Sequence, residues 1–358
     1  MNAPFQPLFG ARSLAEWIRA GGRPERRVQA YFARLSWHAF WFEHNWRTQT
    51  ARVGYSELPD DPVFIVGPWR SGTTVMHELL AAVTGWRTPQ TWQCFNPSTC
   101  FLAQRPPPDG VVERPMDSGR ITTLGPQEDE FALLLLGEPS VYRAFVDPRR
   151  LRECAAELWP LSRDTLNKDT LPRWQHFLRG ITAAAPGMPL LLKSPSHAFR
   201  LPLLRQLFPR ARFVWMGRHT GELMASNLRM WRAMVDRYGL WACPEAAWEG
   251  FLHDMLNACD AVLARCLDEM PRDRLLWVDF HELRADRRRV LRGVLRFLNL
   301  DGSSEAGALG RRVEDAFARV PIHDGSRESL PADDSARKLE KRMVAARERF
   351  GLSTVTSG

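Results

Sequence analysis

The sequence predicts an α/β fold in three layers, a central and mostly parallel sheet flanked by helices. Three observations predict it. The stretch Pro62-Val63-Phe64-Ile65-Val66-Gly67-Pro68-Trp69-Arg70-Ser71-Gly72-Thr73-Thr74 reads as a buried strand, a tight loop and a helix start. Two later stretches repeat the order of apolar strand, cation and helix. The length of 358 residues suffices to bury one large core, or two.

In the first stretch, Val63 to Val66 form the unbroken apolar run of a strand covered on both faces. Gly67, Pro68, Ser71 and Gly72 break that pattern. Val75, Leu79, Leu80 and Val83 then recur at helical spacing. A glycine-bearing loop at a helix N-terminus presents backbone N–H groups and the positive end of the helix dipole, a site for an anion such as phosphate. Gly67 and Gly72 have P-loop spacing, which makes the predicted fold P-loop-like. Thr73, however, stands where a P-loop NTPase has the lysine that reaches the β- and γ-phosphates. The cation lies inside the loop instead, as Arg70. This argues against an ATP or GTP hydrolase. The plainer reading is a strand–turn–helix corner with an incidental arginine.

Before this core, residues 1–60 read as a helical arm. Ser13-Leu14-Ala15-Glu16 fits a capping box and Gly21-Gly22 a helix stop. A second helical stretch from about Pro24 to Gln49 carries Tyr31, Phe32, Leu35, Trp37, Phe40, Trp41, Phe42 and Trp46. Its stripe suits packing on the chain's own core, and a peripheral membrane contact or a homo-oligomer stays open.

After the first helix, Gly85 to Gly125 reads as loops around Pro106-Pro107-Pro108. Pro126-Gln127-Glu128-Asp129-Glu130-Phe131 follows. Acids ahead of an apolar run suit a helix N-terminus, or supply a general base. Leu151 to Ala185 reads as helical, with Trp159, Trp174 and Phe177 in the core. A strand at Pro189 to Leu192 ends in Lys193-Ser194-Pro195-Ser196-His197. A helix near Ala198 to Phe208 leads to a third strand, Arg212 to Met216, which ends in Gly217-Arg218-His219. The next helix, from about Thr220, puts Ser226 within two turns of Arg218. Arg70, Lys193 and Arg218 thus stand at the same edge of one sheet, where open α/β sheets bind ligands. Three cations there point to a polyanion. Taken singly, His197 reads as capping a turn and Ser226 as an ordinary helix serine.

Composition narrows the class. Forty-nine Lys plus Arg against 41 Asp plus Glu give a net of +8, scattered rather than clustered, so no nucleic-acid partner is read from it. The six cysteines form no C-x-x-C pair, and no metal site is read from them. No apolar leader opens the chain, and its longest apolar run, Phe131 to Leu136, is too short to span a bilayer. The expected location is cytoplasmic, with membrane association left open.

At this point the chain resembles a known family, the sulfotransferases that use 3′-phosphoadenosine 5′-phosphosulfate (PAPS), in their bacterial-type branch. Arg70-Ser71-Gly72-Thr73-Thr74 resembles the loop that holds the 5′-phosphosulfate. Arg218 and Ser226 resemble the pair that grips the 3′-phosphate. Leu192-Lys193-Ser194-Pro195-Ser196-His197 and the acidic segment around Glu128 resemble two further blocks. Leu276 to Leu283 with Phe297-Leu298-Asn299-Leu300 resembles the closing strand and helix. The likeness runs over about residues 61–300, with residues 301–358 a helical tail on the same domain and a last helix near Asp333 to Arg349.

The resemblance implies in-line, metal-free sulfuryl transfer to a hydroxyl or amine of a small-molecule, lipid or carbohydrate acceptor, releasing 3′-phosphoadenosine 5′-phosphate (PAP). It implies that Pro68, Trp69, Arg70, Ser71, Gly72, Thr73, Thr74, Arg218 and Ser226 bind the donor. Arg70 and Lys193 would stabilise charge, and Glu128, Glu130 or His197 would be the base. Of the family's basic loop near the C-terminus only His323-Asp324-Gly325-Ser326-Arg327 offers a counterpart. Trp231, Tyr238, Trp241 and Trp248 would favour an acceptor with apolar or ring surface, seated against the loops of residues 86–125. The rival readings are a small-molecule kinase using ATP and magnesium, and a non-enzymatic basic module for membrane or nucleic acid.

Overall fold

The computed structural model describes residues 40–52, 57–114, 116, 119–156, 158, 171–239, 245–300, 306–321 and 329–352. Strands are β1 Val63–Val66, β2 Val111–Glu113, β3 Arg120–Thr122, β4 Leu191–Lys193, β5 Arg212–Gly217 and β6 Leu275–Asp279. Helices are α1 Thr73–Thr84, α2 Thr91–Phe95, α3 Glu130–Leu136, α4 Leu151–Ala156, α5 Pro172–Ala183, α6 Leu201–Leu207, α7 Thr220–Tyr238, α8 Glu245–Glu269, α9 Phe280–Ala285, α10 Arg287–Phe297, α11 Ala306–Arg319 and α12 Asp334–Phe350.

The main sheet has the order β4-β1-β5-β6 and is parallel throughout. Val63 pairs with Leu191 on one side and Arg212 on the other. β1 is therefore an inner strand, as its apolar run requires, and all four of its residues are buried. Their side chains alternate between two cores, as the period of two demands. Phe64 and Val66 join Leu192, Phe213, Trp215 and Trp277 on one face. Val63 and Ile65 join Met76, Leu79, Leu191 and Val214 on the other. Helices cover both faces. Each of the four side chains contributes about 1.5–3 kcal/mol by leaving water.

α1 buries Met76, Leu79, Leu80 and Val83 on one stripe and closes on Gly85, whose left-handed φ of 65° lets its N–H reach Ala81 O. α12 starts at Asp333, whose carboxylate accepts from Ala336 N at 2.8 Å. Its buried Ala336, Leu339, Met343, Ala346 and Phe350 lie on one face. Lys338 and Arg342 of α12 meet the buried Asp260 of α8, each at 3.0 Å.

Three expectations change. The region 86–125 is not loop alone. It holds α2, whose N-terminus is closed by a Gln90–Gln93 capping box, and the antiparallel hairpin β2–β3. Strands of three residues, with Val111 63% exposed, give no apolar run to read. The second strand is Leu191–Lys193, so Lys193 belongs to it and pairs with Ile65. A 3-10 turn at Pro195–Ala198 then delays α6 to Leu201.

Of the arm, residues 40–52 are helical. Trp46 is buried, and the buried Gln49 donates to Pro97 O at 2.7 Å and accepts from Phe101 N at 2.8 Å. Phe40 and Trp41 are exposed. The capping box at Ser13, the first part of the aromatic stretch, Trp159, Trp241, Cys243 and His323 to Arg327 lie outside the described residues. The five other cysteines are buried and unbridged. Among the described residues no helix is long and apolar enough to cross a membrane.

Candidate active site

The loop after β1 is shaped by close approach. A Cβ on Gly67 would stand 2.4 Å from Met216 O, and one on Gly72 2.3 Å from the Phe280 ring. Both glycines have positive φ, and Arg70 between them also adopts the left-handed region, at φ 70°. Neighbours hold that conformation. Asn227 Nδ2 donates to Trp69 O at 2.7 Å, and Arg218 Nη1 donates to Arg70 O at 3.1 Å. Arg70 Nε in turn donates to Ser226 Oγ at 3.0 Å. The sequence-predicted loop and the Arg218–Ser226 pair thus form one unit. α1 opens directly behind it, with its first amides facing the loop. The Ser71 hydroxyl is buried and has no hydrogen-bond partner among the described residues.

Around Arg218 the structure adds contacts to which the motifs gave no role. Glu222, one turn on, accepts from Arg218 Nε at 3.0 Å and Nη2 at 2.8 Å. The guanidinium lies 5.1 Å from the Phe280 ring centroid. His281 Nε2 is 3.4 Å from Glu222. Partial burial alone would raise the Glu222 carboxyl. The Arg218 hydrogen bonds, with His281 and His219 nearby, hold it below the usual value.

The three consecutive acids go to three places. Glu130 is fully buried and accepts from Ser140 Oγ at 2.5 Å, Ser196 Oγ at 2.5 Å, and Arg200 Nη1 and Nη2 at 2.5 and 3.1 Å. Burial would raise its carboxyl, but the Arg200 charge and these donors bring it below the ordinary value. Asp129 accepts from Trp174 Nε1 at 2.6 Å and contacts His197 Nε2 at 2.9 Å. His197 is itself fully buried between Phe64 and Trp174. Only Glu128 lines the cleft. It accepts from the Tyr142 hydroxyl at 3.1 Å and lies 3.7 Å from Lys193 Nζ. Lys193 is 3% exposed and reaches Thr74 Oγ1 at 3.5 Å. Behind it, His77 on α1 bonds Thr88 Oγ1 at 2.7 Å, and burial, then the Lys193 charge, push its imidazole well below the usual histidine range.

The cleft has a volume of about 1450 Å³. Arg70, Gly72, Thr73, Thr74, Arg218 and Phe280 line its loop side. The hairpin β2–β3 and the apolar Met116, Phe131, Phe145, Met230 and Met234 line it elsewhere. Trp231 and Trp248 do not, contrary to expectation. Both are buried in the core, where Trp231 packs on Trp69, Phe145 and Phe251. Tyr238 is half-buried against the same core. On α7 the helical period turns Met230 and Met234 to the cleft and Trp231 away from it. Tyr142 and Glu222 carried no sequence motif. Tyr142 lies in a short 3-10 turn, and no spacing marks it.

Residues 62–304 match the profile of the Sulfotransferase family. Over 254 residues the chain is 31% identical to the omega-hydroxy-beta-dihydromenaquinone-9 sulfotransferase Stf3 of Mycobacterium bovis, covering 66% of this chain and 60% of that one. The Mycobacterium tuberculosis protein of the same name gives the same figures. The chain therefore spans 60% of the length of these relatives. The fold is similar to that of sulfotransferase STF9 from Mycobacterium avium, with a TM-score of 0.59 at 19% identity, over 89% of this chain and 82% of that one. It is also similar to STF1 from Mycobacterium tuberculosis, with a TM-score of 0.56 at 18% identity, over 84% and 80%. By the extent of the profile match, the chain belongs to the sulfotransferase family.

Proposed function

We propose that this chain moves a sulfuryl group from PAPS to a hydroxyl on an acceptor with an extended apolar surface. The observation that carries the proposal is the joining of Arg70 to Ser226 and of Arg218 to the Arg70 carbonyl, on one wall of the cleft that Glu128 also lines. The residues present suit such a donor. Ser71 keeps a buried hydroxyl with no partner among the described residues, and the loop offers backbone amides and Arg70 to a phosphosulfate. Arg218 and Ser226 suit a second phosphate. Thr73, in place of a P-loop lysine, leaves no grip for a γ-phosphate, and PAPS has none.

When bound, PAPS supplies a sulfuryl group on a phosphate leaving group. The acceptor oxygen forms a bond to sulfur as the sulfur–oxygen bond to that phosphate breaks, and the acceptor's proton goes to Glu128. Arg70 and Lys193 offset the charge left on the donor side. Glu128 is the base because it alone of the three candidates opens on the cleft. Glu130 is taken up by Arg200, and His197 is fully buried with its Nε2 on Asp129. Their role in this reading is to hold the acidic segment still. The apolar lining from Phe131, Phe145, Met230 and Met234 favours a lipid-like acceptor. The name of the Stf3 relatives, which cites a dihydromenaquinone, points the same way.

Calorimetry with PAP and with ATP–Mg²⁺ on one sample tests the donor. Tight, magnesium-independent PAP binding that is lost in Arg70→Ala and Arg218→Ala is expected. Binding of ATP–Mg²⁺ instead would restore the kinase reading.

A further inference from the structure

Resting on the reading of Glu128 as the base, we propose that Trp69 and Tyr142 are positioning residues that aim one oxygen of Glu128 at the acceptor. A chain of hydrogen bonds runs from the donor loop to the carboxylate. Trp69 Nε1 donates to the Tyr142 hydroxyl at 2.9 Å. The Tyr142 hydroxyl meets Glu128 Oε2 at 3.1 Å. The direction of this chain is fixed by chemistry. An indole N–H can only donate, so the Tyr142 oxygen accepts there. Its single proton is then free for Glu128. Burial first, then the Glu128 and Glu130 charges, push the Tyr142 phenol well above its ordinary value, so it keeps that proton through the working range.

One oxygen of Glu128 is thereby assigned. Oε2 receives the Tyr142 proton and also faces Lys193 Nζ. Oε1 has no hydrogen bond among the described residues, and it is the oxygen left for a substrate hydroxyl. Without Tyr142 the carboxylate could turn to give both oxygens to Lys193.

The far end of the chain is also tied down. Tyr142 N donates to Ser140 Oγ at 3.2 Å, and that hydroxyl donates to the buried Glu130. The Trp69 ring packs on Phe199 and Trp231, and its carbonyl is held by Asn227. The loop that carries Arg70 and the acid that would take the proton are therefore fixed to each other through two side chains. Trp69, read from the sequence as a donor contact, acts in this account through Tyr142.

The test is steady-state transfer from PAPS to 2-naphthol by the full chain, with PAP affinity measured beside it by calorimetry. Lys193, the Cys94 thiol, Asp129 and Glu130 stand around Glu128 and are all kept in Tyr142→Phe and Trp69→Phe. Tyr142→Phe should lower kcat by roughly tenfold, with the KM for 2-naphthol and the PAP affinity close to native. Trp69→Phe should lower kcat by less, because the freed hydroxyl can turn. A packing role alone would show as lost stability and weaker PAP binding with kcat in place, and an unmoved kcat in Tyr142→Phe overturns the proposal. A lower kcat in Tyr142→Phe with a native kcat in Trp69→Phe overturns the part assigned to Trp69. The base reading fails separately, if Glu128→Gln retains sulfuryl transfer to 2-naphthol.

Discussion

Arg70 Nε and Ser226 Oγ meet at 3.0 Å, across an interval of 156 residues in the chain. A loop residue and a helix residue thus share one ligand wall, and they should behave as a pair in binding. A charged hydrogen bond to a phosphate is worth about 1.5–3 kcal/mol. Arg70→Ala should therefore weaken PAP binding by at least about tenfold. Ser226→Ala should cost less. In calorimetry the double variant should bind PAP only slightly worse than Arg70→Ala. Strict additivity would mean that the two side chains serve the ligand independently.

Gly72 supports Arg218 through Phe280. A methyl at position 72 would collide with the Phe280 ring, which lies under the Arg218 guanidinium. The φ of 96° adds backbone strain. Gly72→Ala should lower stability by about 1–3 kcal/mol and weaken PAP binding as well. Phe280→Ala should relieve the collision and restore part of that stability in the double variant. Denaturant melts and calorimetry measure both effects.

Glu130 and Glu128 should part in their phenotypes. Removing one member of a buried ion pair leaves the other uncompensated, at about 3–5 kcal/mol. Glu130→Gln should show that loss in urea melts, because Arg200 stays buried. Glu128→Gln should fold with nearly native stability, bind PAP, and lose about 10²–10⁴ in turnover. A Glu130→Gln protein as stable as the native one would sink the structural account of Glu130.

His77 should make stability fall on the acid side of neutrality. Its folded-state pKa is depressed, first by burial and then by Lys193. A group depressed on folding contributes stability above its unfolded value, about 6.5 for histidine, and loses it as pH falls below that value. The slope reaches at most about 1.4 kcal/mol per pH unit. His77→Gln should flatten the stability curve between about pH 5 and 6.5. Glu130 has the same sign, with its loss starting lower, below about pH 4.3.

The parts that were legible in the sequence are those that one residue pattern dictates. The run Val63 to Val66 implied an inner strand, and Gly67 with Gly72 implied a tight loop, because only buried strands and close backbone approach need those residues. Arg70, Lys193 and Arg218 were readable as a group because parallel strands bring their C-terminal ends to one edge. The hairpin β2–β3 was not, since Arg120, Thr122 and Glu113 are polar and Val111, Glu113 and Arg120 face water. Glu128, Asp129 and Glu130 looked alike as residues. What separates them is burial and partners, such as Arg200 for Glu130, and those are fixed by packing far along the chain. Tyr142 is the extreme case, with no pattern at all until Trp69 and Glu128 are seen beside it.

The inner place of β1 also governs the order in which the chain can assemble. Both of its neighbours, β4 and β5, are made more than a hundred residues after it. A nascent chain therefore carries a bare apolar strand with two unpaired edges until Leu191 emerges, and with one until Arg212 and its flanks follow. Closing such long intervals is entropically costly, and contacts this remote in sequence slow folding. The ligand loop cannot be formed early by a fragment ending before β5, because Arg218 and Asn227 are the groups that hold it. For this chain, synthesis itself is the interval of greatest exposure to aggregation.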